Sequence, residues 1–151
     1  MLTDAFIEAW DINNRVNLFV LAAIPDEALY IRAEKGKAPA GHFTHVHNVR
    51  RLWLSAAAPE LTVDLEKLSN DVSREQIARG LEASGAAIRE LLRRSMEVDR
   101  IKGFKPTPAA FFAYMAAHEG YHRGQIELTL RQTGFPLEDK VAFGMWEWGV
   151  R

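Results

Sequence analysis

The spacing of apolar residues along the chain predicts four long helices. In each of four segments these residues recur at intervals of three and four, the period of an amphipathic α-helix. The segments cover residues 3–24, 41–57, 73–98 and 107–131. Proline and glycine mark the breaks between them, at Pro25, Pro59, residues 103–108, and Gly134 with Pro136. Since no alternating strand pattern is present, the sequence predicts an all-α fold, with a short C-terminal helix or turn whose aromatic residues pack on the other helices.

The third predicted helix has the clearest boundary. Ser73 precedes it and Gln76 follows three residues later, which is the spacing of a capping box. Its inward stripe is entirely small or aliphatic and consists of Ile77, Leu81, Ser84, Ile88 and Leu91. Pro108 similarly suits the first turn of the fourth helix.

The first helix carries asparagines in the middle of its apolar stripe. Asn13 and Asn17 lie between Trp10 and Val20 at helical spacing. Amides are rare in a plain core, so they indicate a polar pocket midway along the helix. The alternative, that Asn13 or Asn14 faces solvent, remains open from sequence alone.

Two histidines on the fourth helix form the strongest candidate for chemistry. His118 and His122 are four residues apart and therefore project from one face, which continues through Met115, Gln125 and Thr129. Two imidazoles on one face can hold one ion, but a transition metal usually takes at least three protein ligands. A third ligand must therefore come from another segment.

The second helix supplies the other three histidines. His45 aligns with Val49, Leu52 and Ala56 on an apolar face, and His42 lies one turn away on nearly the same side. Spacing therefore favours His45, and then His42, as the inward histidine. His47 lies about 200° round the helix from His45 and is expected to face outward or toward a partner.

Two further residues beside the histidine pair are candidates for supporting roles. Gln125, one turn beyond His122, is placed to hold a metal ligand or a bound water by a hydrogen bond. Glu119 is about 100° round the helix from His118. Such a residue is more often a solvated surface carboxylate, and the other interpretation is an acid–base group at the cavity edge. Residues 118–122 also satisfy the His-Glu-x-x-His pattern of zinc proteases, but the chain lacks the sheet and the downstream third ligand that such proteases have.

Length, charge and composition exclude several classes of protein. The chain has 151 residues and a formal net charge of −1, which suits a single domain over residues 1–151. No basic stripe is present, so nucleic acid is not an expected partner, and no apolar run approaches the roughly 18 residues of a membrane span. The absence of cysteine fits a reducing cytoplasm, and the start of the chain lacks the features of a signal peptide.

Three stretches resemble the DinB/YfiT-like proteins, a family of helical metal-binding proteins. They are Phe-Thr-His-Val-His-Asn-Val-Arg-Arg-Leu-Trp-Leu at 43–54, His-Glu-Gly-Tyr-His-Arg-Gly-Gln-Ile at 118–126 and Met-Trp-Glu-Trp-Gly at 145–149. The resemblance implies a four-helix bundle with three metal ligands, which map here to His45, His118 and His122. His42 and His47 are additional to the family pattern, so an alternative ligand stays open.

The resemblance also implies a class of chemistry. Characterised relatives include thiol-dependent transferases and an isomerase, so we expect a divalent metal that activates a low-molecular-weight thiol or water for transferase- or hydrolase-type chemistry on a small molecule. Zinc or nickel is the expected metal, although three histidines also suit iron, manganese or copper. A homodimer is common in the family and is expected here. The alternatives are a non-catalytic metal- or ligand-binding stress-response protein and an interaction module with buried histidines; no catalytic residue is assigned.

Overall fold

The computed structural model describes residues 1–151 and contains six α-helices and no strand. The helices are α1 (Leu2–Ala23), α2 (Asp26–Leu29), α3 (Pro39–Ala57), α4 (Arg74–Glu97), α5 (Pro108–Gln132) and α6 (Asp139–Gly144). Two short 3₁₀ turns cover Pro59–Thr62 and Trp148–Val150. The all-α prediction is therefore confirmed.

The four long helices begin and end within two residues of the predicted positions, because local signals set their ends. Ser73 caps α4 by accepting from the Gln76 backbone N–H, and the Gln76 side chain accepts from the Ser73 N–H in return. Thr107 caps α5 by accepting from Ala110 N–H, with Pro108 in the first turn. The short helix α2 was not predicted and lies inside what the sequence showed only as a connection.

The buried residues form two apolar clusters, one toward each end of the long helices. One cluster includes Val20 of α1, Phe43 of α3, Ile77 of α4 and Ile126 of α5. The other includes Trp10, Leu54, Ile88 and Phe111 from the same four helices. From the order in which each helix meets the clusters, α1 and α5 run in one direction and α3 and α4 run in the other.

The relative direction of the helices explains the long connection between α3 and α4. Because these two helices are parallel, the chain must return along their length before α4 can begin. Side chains of α3 hold the returning segment by its backbone: Asn48 pairs with Leu68, and Arg51 donates to the carbonyl of Leu65.

Between the two apolar clusters, every long helix contributes a polar residue to the interior. Asn13 and Asn17 of α1, Arg50 of α3, Ser84 of α4 and Glu119 of α5 are all buried. We call these five residues the polar layer. The predicted polar interior midway along α1 is thereby confirmed, although it is a packed layer and not a pocket, and Asn13 does not face solvent.

The predicted inward face of α3 is wrong. Leu52 is 69% exposed, and Ala56 is also exposed, whereas the buried side chains include Phe43, Arg50 and Leu54. The helix is rotated relative to the prediction because Arg50, a residue that sequence patterns place outside, lies at the centre of the buried face.

His47 was expected to face outward or toward a partner, and this is also wrong. It is 1% exposed. Its Nδ1 lies 2.9 Å from the carbonyl oxygen of Gly80 and its Nε2 lies 2.8 Å from that of Glu66. The imidazole therefore links α4 to the segment that returns from α3.

The tail agrees with its prediction only in part. It forms α6 and a final 3₁₀ turn, and Met145 and Trp148 pack against the core. Phe143 and Trp146, in contrast, are 69% and 77% exposed. Separately, none of the helices combines the length and apolar character that crossing a membrane requires.

A substitution at Gly85 of α4 tests the close packing beside the polar layer. A Cβ at this position would lie 2.5 Å from Nδ2 of Asn14, whose Oδ1 accepts from Arg50 at 2.8 Å. Gly85→Ala should therefore lower the free energy of unfolding by about 1–3 kcal/mol despite its better helix propensity. Gly124→Ala on α5 is the matched control, because nothing lies within 4 Å of its Cβ position. It should gain up to about 1 kcal/mol. Urea denaturation measures both, and stabilisation by Gly85→Ala would contradict the packing.

Candidate metal centre

Three imidazoles from two helices converge on one point. His118 and His122 project from α5 and His45 from α3, and one ring nitrogen of each lies within 4.8 Å of the others. The Nε2 atoms of His118 and His122 are 3.2 Å apart. The sequence-derived trio His45, His118 and His122 is therefore brought together in the fold.

The distance between the two α5 histidines suits a shared ion. With Zn–N bonds near 2.0–2.1 Å, two ligands at a tetrahedral angle are separated by about 3.3 Å. The observed Nε2–Nε2 distance of 3.2 Å is close to this value. His45 is half-buried, and its ring centroid lies 4.7 Å from that of His122 and 5.5 Å from that of His118.

The protonation state of the cluster also fits metal binding. Burial, followed by the charges of neighbouring histidines and Lys37, lowers the pKa of His122 to about 3. Burial is likewise the main cause that lowers the pKa of His45 and His118 below the ordinary value. All three imidazoles are therefore neutral near pH 7, and each has a nitrogen lone pair to offer.

The donor set is chemically uniform. Each member of the trio offers one imidazole nitrogen, and the Nε2 atoms of His118 and His122 lie at the spacing of two ligands of one ion. Nδ1 of His118, on the other side of that ring, is buried without a hydrogen-bond partner in the protein. The residues present fit a divalent metal, which would take one nitrogen from each member of the trio.

His42 belongs to the site but not to the trio. Its Nδ1 lies 2.9 Å from Nδ1 of His122, on the opposite side of that ring from His118. A single proton can occupy this contact, and a ligand that binds through Nε2 carries its proton on Nδ1. His42 is therefore placed to accept a hydrogen bond from Nδ1–H of His122 and so to orient the His122 ring, as outer partners of metal ligands do.

Glu119 is the residue whose position differs most from its prediction. We interpreted it as a solvated carboxylate or an acid–base group at the cavity edge, but its side chain is 0% exposed. Arg50 donates from Nε to Oε1 at 2.7 Å and from Nη2 to Oε2 at 2.8 Å. Asn13 and Asn17 both donate to Oε2, at 2.8 and 2.7 Å.

These donors keep the Glu119 carboxylate charged. Burial by itself raises the pKa of the carboxyl, but the Arg50 charge and the hydrogen bonds from Arg50, Asn17 and Asn13 outweigh it. The net pKa lies below the ordinary value. Every strong donor around the carboxylate is used to hold it in place, so Glu119 is a structural anion directly behind His118.

Sequence reasoning missed Arg50, the partner of Glu119. A signal existed on α5, where Met115, Glu119, His122 and Ile126 recur at helical spacing and are all buried. No comparable signal exists for Arg50, because a buried guanidinium is recognisable only through its partner. Gln125 is half-buried and no hydrogen bond of its side chain is formed within the protein, so its proposed support of the metal remains a prediction.

Removal of the Glu119 charge tests the polar layer. Glu119→Gln leaves the Arg50 guanidinium buried without a counter-charge and should cost about 3 kcal/mol or more in the free energy of unfolding. Glu127→Gln, on the same helix and 3.9 Å from Arg131, should change it by less than about 0.5 kcal/mol. Denaturant melts of the two variants give the comparison, and similar effects at both positions would show that the buried pair has no special role.

No curated protein and no solved structure shows a significant match to the chain. The sequence model of the DinB family matches residues 1–139, a range that includes all four long helices and all five histidines. The chain therefore belongs to the DinB family.

Proposed function

We propose that the protein is a metal-dependent enzyme in which His45, His118 and His122 hold a divalent transition metal. The long helices would form the four-helix bundle implied by the family resemblance. The reaction would be a transfer or hydrolysis in which a low-molecular-weight thiol or water is the nucleophile. The observation that carries this proposal is the convergence of three neutral imidazoles from α3 and α5 on one point.

The chain's own residues provide a ligand set with an open side. Three protein ligands leave at least one coordination position free, as in catalytic rather than structural sites. His45 and His118 are only half-buried, so this position is open to a small molecule. A bound divalent ion supplies one kind of chemistry here, which is to lower the pKa of a coordinated water or thiol toward neutrality. Because the chain has no cysteine, a thiol would have to be a second substrate.

The metal we propose is zinc or nickel. Neutral imidazoles are ligands for both, and also for iron, copper and manganese. Burial is the main cause that lowers the pKa of His118; the Glu119 charge raises it, Arg50 and Lys37 lower it, and the net pKa stays below the ordinary value, which preserves the lone pair at neutral pH.

One observation favours a non-catalytic alternative. Glu119, the carboxylate nearest in sequence to the ligands, is fully occupied by Arg50, Asn13 and Asn17 and cannot act as a base. The cluster therefore has no carboxylate placed for proton transfer. A metal- or ligand-binding protein of the stress response would need none, so it is the second candidate function.

Elemental analysis of the untagged protein tests the metal site. We expect about one equivalent of a transition metal, lost in each of His45→Ala, His118→Ala and His122→Ala. His42→Ala is the matched control; it should keep the metal but bind it about 10- to 100-fold more weakly, because His42 orients a ligand rather than acting as one. If reconstitution with zinc, nickel and manganese gives no bound metal, the proposal is wrong.

Metal removal separates a catalytic from a structural role of the ion. The two apolar clusters and the polar layer do not depend on the ion, so chelation should shift the melting temperature by only a few degrees while abolishing thiol- or water-dependent turnover. Collapse of the helical circular-dichroism signal on chelation would instead indicate a structural metal.

We further propose that the protein forms a homodimer through the exposed face of α5. Tyr114, Tyr121 and Leu128 are 44%, 62% and 38% exposed and follow one another at seven-residue intervals. Ala117 and Gly124 lie between them and are also exposed. In an antiparallel pair centred on Tyr121, Tyr114 of one copy faces Leu128 of the other, so the face is self-complementary.

Light scattering after gel filtration tests the dimer. Leu128→Glu should yield a monomer, because a carboxylate would be buried without a partner against Tyr114 of the other copy. Val63→Glu, at a residue that is 81% exposed outside α5, should leave the mass unchanged. A monomeric parent protein at micromolar concentration would contradict the dimer.

A further inference from the structure

A cavity of about 460 Å³ lies where the loop after α2 meets the beginning of α3. Its volume is in the range of pockets that hold small organic molecules. It is distinct from the histidine cluster and is lined by Tyr30, Arg32, Gly36, Lys37, Ala38, Gly41, Asn70 and Asp71.

The charge of this cavity is positive. Arg32 and Lys37 line it, and neither forms an ion pair within the protein. The one acid is Asp71, whose carboxylate accepts a hydrogen bond from Ser69 at 2.5 Å. Two unpaired cations against one engaged carboxylate give a net positive wall in a chain whose overall formal charge is −1.

The cavity adjoins the metal centre. Gly41, part of its lining, directly precedes His42, whose ring touches His122. A Cβ at Gly41 would lie 3.4 Å from Cβ of Lys37, so glycine leaves space between this lysine and α3.

The opposite wall of the cavity, which includes Asn70, is hydrogen-bonded to α3. Thr44 donates from Oγ1 to Oδ1 of Asn70 at 3.0 Å, and Thr44 directly precedes His45. Both walls of the cavity are therefore anchored within one residue of a histidine of the site. A ligand in the cavity would consequently lie at a fixed distance from the metal ligands.

We propose that this cavity binds the anionic end of the small molecule that reacts at His45, His118 and His122. This inference rests on the proposed function and names its substrate class: a small organic molecule that carries a carboxylate or phosphate group. Arg32 pairs with the anionic oxygens through its forked donors and Lys37 adds a point charge. The reactive end of the molecule then extends past Gly41 and His42 to the cluster.

Anion binding to the metal-free protein is the first test. Calorimetric titration with succinate and with inorganic phosphate should give saturable binding to at least one of them, and the stronger ligand identifies the anionic group. Lys37→Gln and Arg32→Gln should each weaken that binding about fivefold, as expected for exposed charge pairs. Lys35→Gln is the matched control, since Lys35 lies in the same loop but does not line the cavity. No saturable binding, or equal weakening by all three variants, would overturn the proposal.

Thiol binding to the cobalt-loaded protein is the second test. Mercaptosuccinate and 2-mercaptoethanol can be compared through the absorption band of a cobalt-bound thiolate. Lys37→Gln and Arg32→Gln should weaken only mercaptosuccinate, and 1 M NaCl should remove its advantage. If both thiols bind cobalt with the same affinity in the parent protein, the cavity inference fails while the metal site stands. If anions bind but no metal does, the proposed function fails and the link between the cavity and the cluster fails with it.

Discussion

The buried contact between Arg50 and Glu119 sets how α3 packs against α5. Two parallel hydrogen bonds of 2.7 and 2.8 Å join a fully buried guanidinium to a fully buried carboxylate. Removing two charges from water costs several kcal/mol each, so such a pair is tolerated only with close geometry and further donors. That requirement allows one register of α3 against α5. Because His45 and His118 lie on the same two helices, the same register brings the third imidazole to the other two.

The polar layer divides the core into two apolar parts and gives each long helix a defined height. An all-apolar interior would tolerate small sliding movements between helices, whereas a shift of one turn here would separate Glu119 from the donors on α1 and α3. The parallel direction of α3 and α4 adds a second constraint, since the chain must return along their length. His47 and Arg51 hold that returning segment by its carbonyl groups.

Electrostatics and burial together produce the chemistry of the histidine cluster. Burial lowers the pKa of each imidazole, and Lys37 adds to that effect from the solvent side. Glu119 acts in the opposite sense on His118, but its charge is balanced by Arg50 at close range. The cluster is thus neutral and rich in lone pairs, beside a cavity with two unpaired cations. This combination suits a metal within the cluster and an anionic group beside it.

Local signals in the sequence were enough to predict the helices, their ends and the pairing of His118 with His122. These features depend on the helical period and on capping residues such as Ser73 and Thr107, which act over four residues or fewer. His45 followed from the family resemblance, although the apolar face assigned to it turned out to be exposed.

The rotation of each helix and the choice of buried polar residues depend on packing between helices. A repeat of 3.6 residues fixes the angles between side chains on one helix but not the direction in which that helix faces the core. His47 was expected to face outward, Glu119 was interpreted as solvated or at the cavity edge, and Arg50 was not identified. Burying such side chains costs free energy unless partners offset it. The partners that offset this cost lie on other helices, 69 residues away for Arg50 and Glu119. Their pairing therefore exists only once the helices have packed.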